Sequence, residues 1–141
     1  MAMGKITTTI TVRNMIDEAL AKRGVISVDA IRVVTLRNVL VDTGATHLCL
    51  PTTVIERLGL DESRQVDVMT AAGPRTTRTF KGGEVIIEDR SSTNEIIELP
   101  GDADPLLGVI PLEAMGIELD LQKQQIRLLP NDSIRTYLLA Y

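Results

Sequence analysis

Asp42 stands where a chain of 141 residues would ordinarily place hydrocarbon. An apolar run, Val39-Leu40-Val41, delivers the aspartate into a small turn, Thr43-Gly44-Ala45, and a second run, Leu48-Cys49-Leu50-Pro51, leads away from it. A buried, ionised carboxylate without a partner is costly, so such a position calls for a reason. The chemistry open to it is acid–base catalysis, and sites of that kind are where carboxylate titration is commonly perturbed. The plain alternative is a turn or capping aspartate, since Asp-Thr-Gly is also good turn chemistry. His47 and Cys49 lie two apart, hence on one face of a strand, and could form a nucleophilic pair. Nothing in the sequence orients the histidine, so Cys49 reads as a small buried hydrophobe and His47 as a lining residue. One His and one Cys do not make a metal site. Asp102 and Asp104 are the runner-up carboxylates, but their Pro-Gly loop implies no apolar pocket; Asp120, after a short helix and strand, reads as structural.

The elements that must position Asp42 are mostly strands. Ile6, Thr8, Ile10 and Val12 alternate with polar residues at the period of a half-buried strand. Asn14 to Gly24 breaks that period and reads as a connection. Val25 to Leu36 reads as a long β-branched strand, and Asn38 as a turn before Val39–Val41. Pro51 opens a short helix over 52–58, with Val54, Ile55 and Leu58 inward and Gly59 as its stop. Gln65 to Thr70 and Thr76 to Lys81 form a hairpin with a small apolar tip at Ala71-Ala72-Gly73-Pro74. Arg75, Arg78 and Lys81 on its second arm read as a solvated face. Glu84–Glu88 and Glu95–Leu99 are strands joined by a polar loop, Asp89–Asn94. Leu106 to Ile110 reads as a buried strand with Gly108 in its middle, and Pro111 to Met115 as a second proline-opened helix. A last hairpin pairs Ile117–Leu121 with Gln125–Leu129. A faint internal echo joins two segments, each a strand with Gly, then a proline-started helix, then apolar-Gly-apolar.

Composition fits one aliphatic domain. Apolar residues make up 44% of the chain, with no Trp, one Phe and two Tyr, and Val, Ile, Leu and Thr lean towards strands. A net charge of −4 argues against general affinity for nucleic acid or an anionic membrane. A single cysteine excludes an internal disulfide. The first residues hold no continuous apolar stretch of signal-peptide type, and no run approaches a bilayer span, so the expected location is cytoplasmic.

Val41-Asp42-Thr43-Gly44-Ala45-Thr46, followed later by Leu106-Leu107-Gly108, resembles the retropepsin-like aspartic proteases, and the longer strings around both resemble their bacterial single-domain members. The resemblance spans about residues 4–130 and implies one all-β, closed-barrel acid-protease domain with one or two short helices, residues 131–141 forming a tail at a dimer interface. It implies a homodimer, because hydrolysis by carboxylates needs two of them and this chain offers one Asp-Thr-Gly. Asp42, Thr43 and Gly44 would be catalytic, Thr43 locking the two loops across the dimer and Gly44 admitting the substrate backbone. Ala45, Thr46, His47 and Val109 would line the substrate cleft, with Ala71, Ala72 and Gly73 as the tip of a closing flap. Leu107 and Gly108 would support the site from beneath. The implied activity is peptide-bond hydrolysis without cofactor or metal, the partners being a second copy and a peptide or protein substrate. The alternative on the same fold is an inactive dimeric peptide-binding or scaffold module. The sequence departs from the viral pattern at Thr46 and Val109, where acidic and Arg residues would form a supporting salt bridge.

Overall fold

The computed structural model describes residues 5–70 and 72–130. It is mostly β. The strands β1 (Thr7–Asn14), β2 (Val33–Val41), β3 (Leu48–Pro51), β4 (Asp61–Thr70), β5 (Gly73–Lys81), β6 (Gly83–Ile87), β7 (Arg90–Ser92), β8 (Ile96–Leu99) and β9 (Leu106–Leu107) form one sheet in the order β4-β5-β8-β3-β9-β2-β1-β6-β7. A separate hairpin joins β10 (Ile117–Asp120) to β11 (Gln125–Leu128). The described residues include three α-helices, α1 (Met15–Lys22), α2 (Thr52–Leu58) and α3 (Val109–Ala114). Among the described residues no helix is long and apolar enough to cross a membrane.

The core is aliphatic and collects the inward faces of the curled sheet with α2. Ile10, Val12, Val39, Leu50, Leu58, Ile96 and Leu107 are wholly or almost wholly buried in it. Burial of this kind, about 25 cal/mol per Å² of apolar surface, is the main favourable term available to such a chain. The sheet is a half-barrel rather than the closed barrel expected. Its ends, β4 and β7, do not pair with each other. β5 meets β8 only at Thr79 and Phe80, so from Gly73 to Arg78 it is paired with β4 alone. The hairpin therefore stands out from the sheet.

Five local expectations are corrected. Asn14–Gly24 is not a mere connection: Asn14 caps α1 by accepting from the Asp17 N–H at 3.0 Å, and its amide donates to the Leu58 carbonyl at 2.8 Å. Asp17 then takes Arg32 by two side-chain hydrogen bonds of 2.8 and 3.0 Å. Val25–Leu36 is not one strand. Val25 and Val28 are largely exposed, a 3₁₀ turn occupies Val28–Ala30, and β2 begins at Val33. The polar loop Asp89–Asn94 holds β7, whose buried Arg90 donates to the carbonyls of Met115, Gly116 and Leu129 and so ties down the terminal hairpin. Leu106–Ile110 is a strand for two residues only, after which Gly108 caps α3.

Asn38 does not turn the chain. It has φ 57 inside β2, where one extra residue is accommodated opposite Thr8–Ile10, and Asn tolerates that left-handed bulge. The helix read at 52–58 forms as α2, its Val54, Ile55 and Leu58 buried and Gly59 in the left-handed conformation. Gly116 follows α3 with the same sign of φ, so the internal echo has a local structural basis. The C-terminal tail, 131–141, lies outside the described residues, as does Ala71.

Candidate active site

Asp42 follows directly from β2, and the next residues form a loop that a second segment crosses. Its N–H donates to the Leu107 carbonyl at 3.0 Å, and its own carbonyl accepts from Ala45 at 3.0 Å. The side chain folds back so that Oδ1 accepts the Gly44 N–H at 2.8 Å. This Asx-type turn fixes the carboxylate relative to the backbone, the use to which Asp-Xaa-Gly is suited. A Cβ on Gly44 would lie 3.1 Å from Oδ1, tighter than the carboxylate comfortably allows.

The crossing segment is β9 and the start of α3. β9 lies between β2, to which it is parallel, and β3, to which it is antiparallel. A helix begins with N–H groups that have no partner within it. Here the loop supplies those partners: Gly108 donates to the His47 carbonyl at 3.0 Å, Val109 to Ala45 at 2.9 Å and Ile110 to Thr46 at 2.9 Å. Such closeness requires glycine at 108. A Cβ there would sit 2.6 Å from both N and O of His47 and 2.7 Å from the Ala45 carbonyl oxygen, all backbone atoms.

Asp42 opens onto a cavity of about 570 Å³. Gly44, Ala45, Thr46 and Cys49 line it from the loop and β3, Leu106 from β9, Ile97 and Leu99 from β8, and Asp67, Val68, Met69 and Thr70 from β4. Of the residues singled out in the sequence, Asp42, Gly44, Ala45 and Thr46 are brought together on its wall. Thr43 is exposed beside it. His47 and Val109 are not among the lining residues: the His47 ring engages the Thr46 hydroxyl at 2.6 Å through Nδ1, and Val109 is turned into the start of α3. Ala72 and Gly73 form the hairpin tip beyond it. Leu107 is fully buried beneath the loop and Gly108 is buried at the crossing.

Sequence reasoning missed the wall made by 67–70. Its signal was present as the alternation of Val66, Val68 and Thr70, half-buried between exposed neighbours, but the partner surface is created only when the hairpin lies over β3 and β8. Cys49 is buried and its Sγ donates weakly to the His47 carbonyl at 3.7 Å. Burial first, and then the nearby Asp42 charge, push its thiol up to about 11, so the neutral form prevails at ordinary pH. A thiol in that state is a poor nucleophile.

The loop thus presents one carboxylate on a glycine turn, braced by a crossing strand and overlooked by a protruding hairpin. The family model for aspartyl proteases matches residues 27–109, more than half of the chain, from β2 through the Asp42 loop and the hairpin to β9, and the chain belongs to that family. No curated protein matches it.

Proposed function

We propose that the chain is a homodimeric aspartic endopeptidase in which Asp42 and its twofold mate share one proton across a common cleft. Two carboxyl groups held close do not both ionise, so one activates a water for attack on the peptide carbonyl and the other protonates the carbonyl oxygen. A twofold axis sets each residue against its own copy, which supplies the second carboxylate from a chain with one Asp-Thr-Gly. The observation that carries this reading is Asp42 itself, with Oδ1 held by Gly44 and its side chain on the wall of a 570 Å³ cavity. Thr43, exposed beside it, is free to hydrogen-bond across the axis, and Ala45 keeps the wall small. His47 and Val109 stay on the perimeter of this assignment. The tip of the β4–β5 hairpin, from Gly73 to Thr76, lies beyond the Thr77 and Arg78 bonds to Glu98 and is suited to close over bound peptide.

Activity is expected at acidic to mildly acidic pH, since one carboxyl must keep its proton. The test is a peptide-library digest at several pH values. Asp42→Asn is expected to lower cleavage by about a hundredfold or more while leaving fold and association intact. Undiminished cleavage by Asp42→Asn sinks the proposal. A well-folded dimer that cuts nothing across the pH range points instead to a peptide-binding module.

A further inference from the structure

The cations of the hairpin arm, Arg75, Arg78 and Lys81, are not equivalent in the folded chain. Arg78 is committed: it donates to both oxygens of Glu98 at 2.8 Å and to Glu62 at 3.0 Å, and its guanidinium lies 5.1 Å from the centre of the Phe80 ring. Lys81 is exposed at the far end of β5, opposite Asp61. Arg75 is exposed and has no carboxylate partner among the described residues. It lies on the wall of a second cavity, of about 440 Å³. Val68, Thr70, Ile97 and Leu99 line both this cavity and the one at Asp42, so the two form one groove with a shared apolar middle. The ionisable groups on the second cavity are Arg75, Arg78 and Glu98. Arg78 is committed to Glu98 on this cavity and to Glu62 outside its lining, so Arg75 is the cation of that end without a carboxylate among the described residues. Asp67 faces the neighbouring cavity and accepts from the Thr76 hydroxyl at 2.8 Å.

We infer that the far end of the groove is a subsite for an acidic side chain of the bound peptide, with Arg75 as the residue that selects it. The inference rests on the reading of the Asp42 cavity as the place where peptide lies. An extended peptide advances about 3.3 Å per residue, so one position at a fixed distance from Asp42 meets the Arg75 end. Its neighbours on either side meet the apolar middle or solvent. Arg75 is exposed, so the attraction is of surface ion-pair size and fades with salt. It also fades below about pH 4, where an aspartyl or glutamyl side chain of the peptide takes up its proton.

The first experiment digests a randomised peptide library with wild type, Arg75→Gln and Arg75→Glu at mildly acidic pH and low salt. Wild type is expected to enrich Asp and Glu at one fixed offset from the cut bond. Arg75→Gln should lose that enrichment, kcat/KM for an acidic peptide over its Gln isostere falling about two- to fivefold. Arg75→Glu should reverse it towards Lys and Arg. Cleavage by wild type with no such enrichment, or the same enrichment in Arg75→Glu, overturns the inference. A second arm needs no catalysis: anisotropy of fluorescent Glu and Gln peptides on Asp42→Asn and on Asp42→Asn/Arg75→Glu. Tighter binding of the Glu peptide that disappears in the double variant and in high salt supports the subsite even if wild type cuts nothing, in which case only the catalytic proposal fails. Equal binding of the two peptides, or binding of neither, overturns it.

Discussion

Gly108 and Cys49 flank the same loop and carry opposite lessons about what a single residue does there. A methyl group at 108 would run into the backbone of His47 and Ala45 at 2.6–2.7 Å, and backbone does not step aside as a side-chain end would. Gly108→Ala is therefore expected to cost about 1–3 kcal/mol or more in urea unfolding. A loss under about 0.5 kcal/mol would mean the crossing is looser than the geometry indicates. Cys49 touches the cavity yet is chemically quiet. With its thiol pushed from 9.0 to about 11, the thiolate at a given pH is about a hundredfold scarcer than in the unfolded chain. Iodoacetamide should accordingly label native protein far more slowly than urea-unfolded protein; equal rates would contradict the burial. Asp42 stood out in the sequence because its signal is local, a charge after an apolar run, whereas Gly108 was read only through the family resemblance, the backbone crossing it permits existing only in the folded chain. His47 was read as a lining residue from its place in that stretch, but the face it presents depends on a hydrogen bond to Thr46 that no spacing reveals.

The β4–β5 hairpin is held at its base by two charge clamps onto the β8 side of the sheet. Arg64 takes both oxygens of Glu95 at 2.8 Å while Thr79 donates to the same carboxylate at 2.6 Å, and Arg78 takes Glu98, which the Thr52 hydroxyl also holds at 3.0 Å. Arg64, then Thr79, draw Glu95 down from 4.5 to about 2, and Arg78 likewise holds Glu98 below the usual carboxylate range. A carboxylate depressed in the folded state contributes stability in full above its unfolded value, and that contribution is lost as pH falls through the folded value. The clamps thus stay ionised at the acid pH where the proposed chemistry runs. Arg64→Gln should lower the urea midpoint modestly at about pH 6, since Arg64 is largely exposed, and the gap to wild type should close between pH 4.5 and about 2. A gap that ignores pH would assign the effect to packing. At this scale α2 was legible because proline start, apolar spacing and glycine stop all lie within it. The helix α1 was not, because its cap reaches Leu58 and its Asp17 answers Arg32, contacts that exist only in the folded chain.

For the whole molecule, the decisive property is that one chain carries one Asp-Thr-Gly. If the site is shared, specific activity should fall as the protein is diluted through its dissociation range. Mixing equal amounts of wild type and Asp42→Asn should cut the activity per wild-type chain to about half, through mixed dimers. Activity that is indifferent to both manipulations would place the whole chemistry in one subunit. The mostly β architecture was legible from β-branched alternation, whereas the open half-barrel was not: which strands end up at the sheet's two edges is set by long-range pairing that alternation does not reveal. One consequence follows from β9 lying between β2 and β3. The strand and helix start that brace the Asp42 loop come from Leu106–Ile110, far downstream of it. Contacts of such separation form late, once the intervening chain has been closed into a loop. During folding, then, the β1–β2 pair can form while the aspartate at its end still lacks the crossing that fixes its loop.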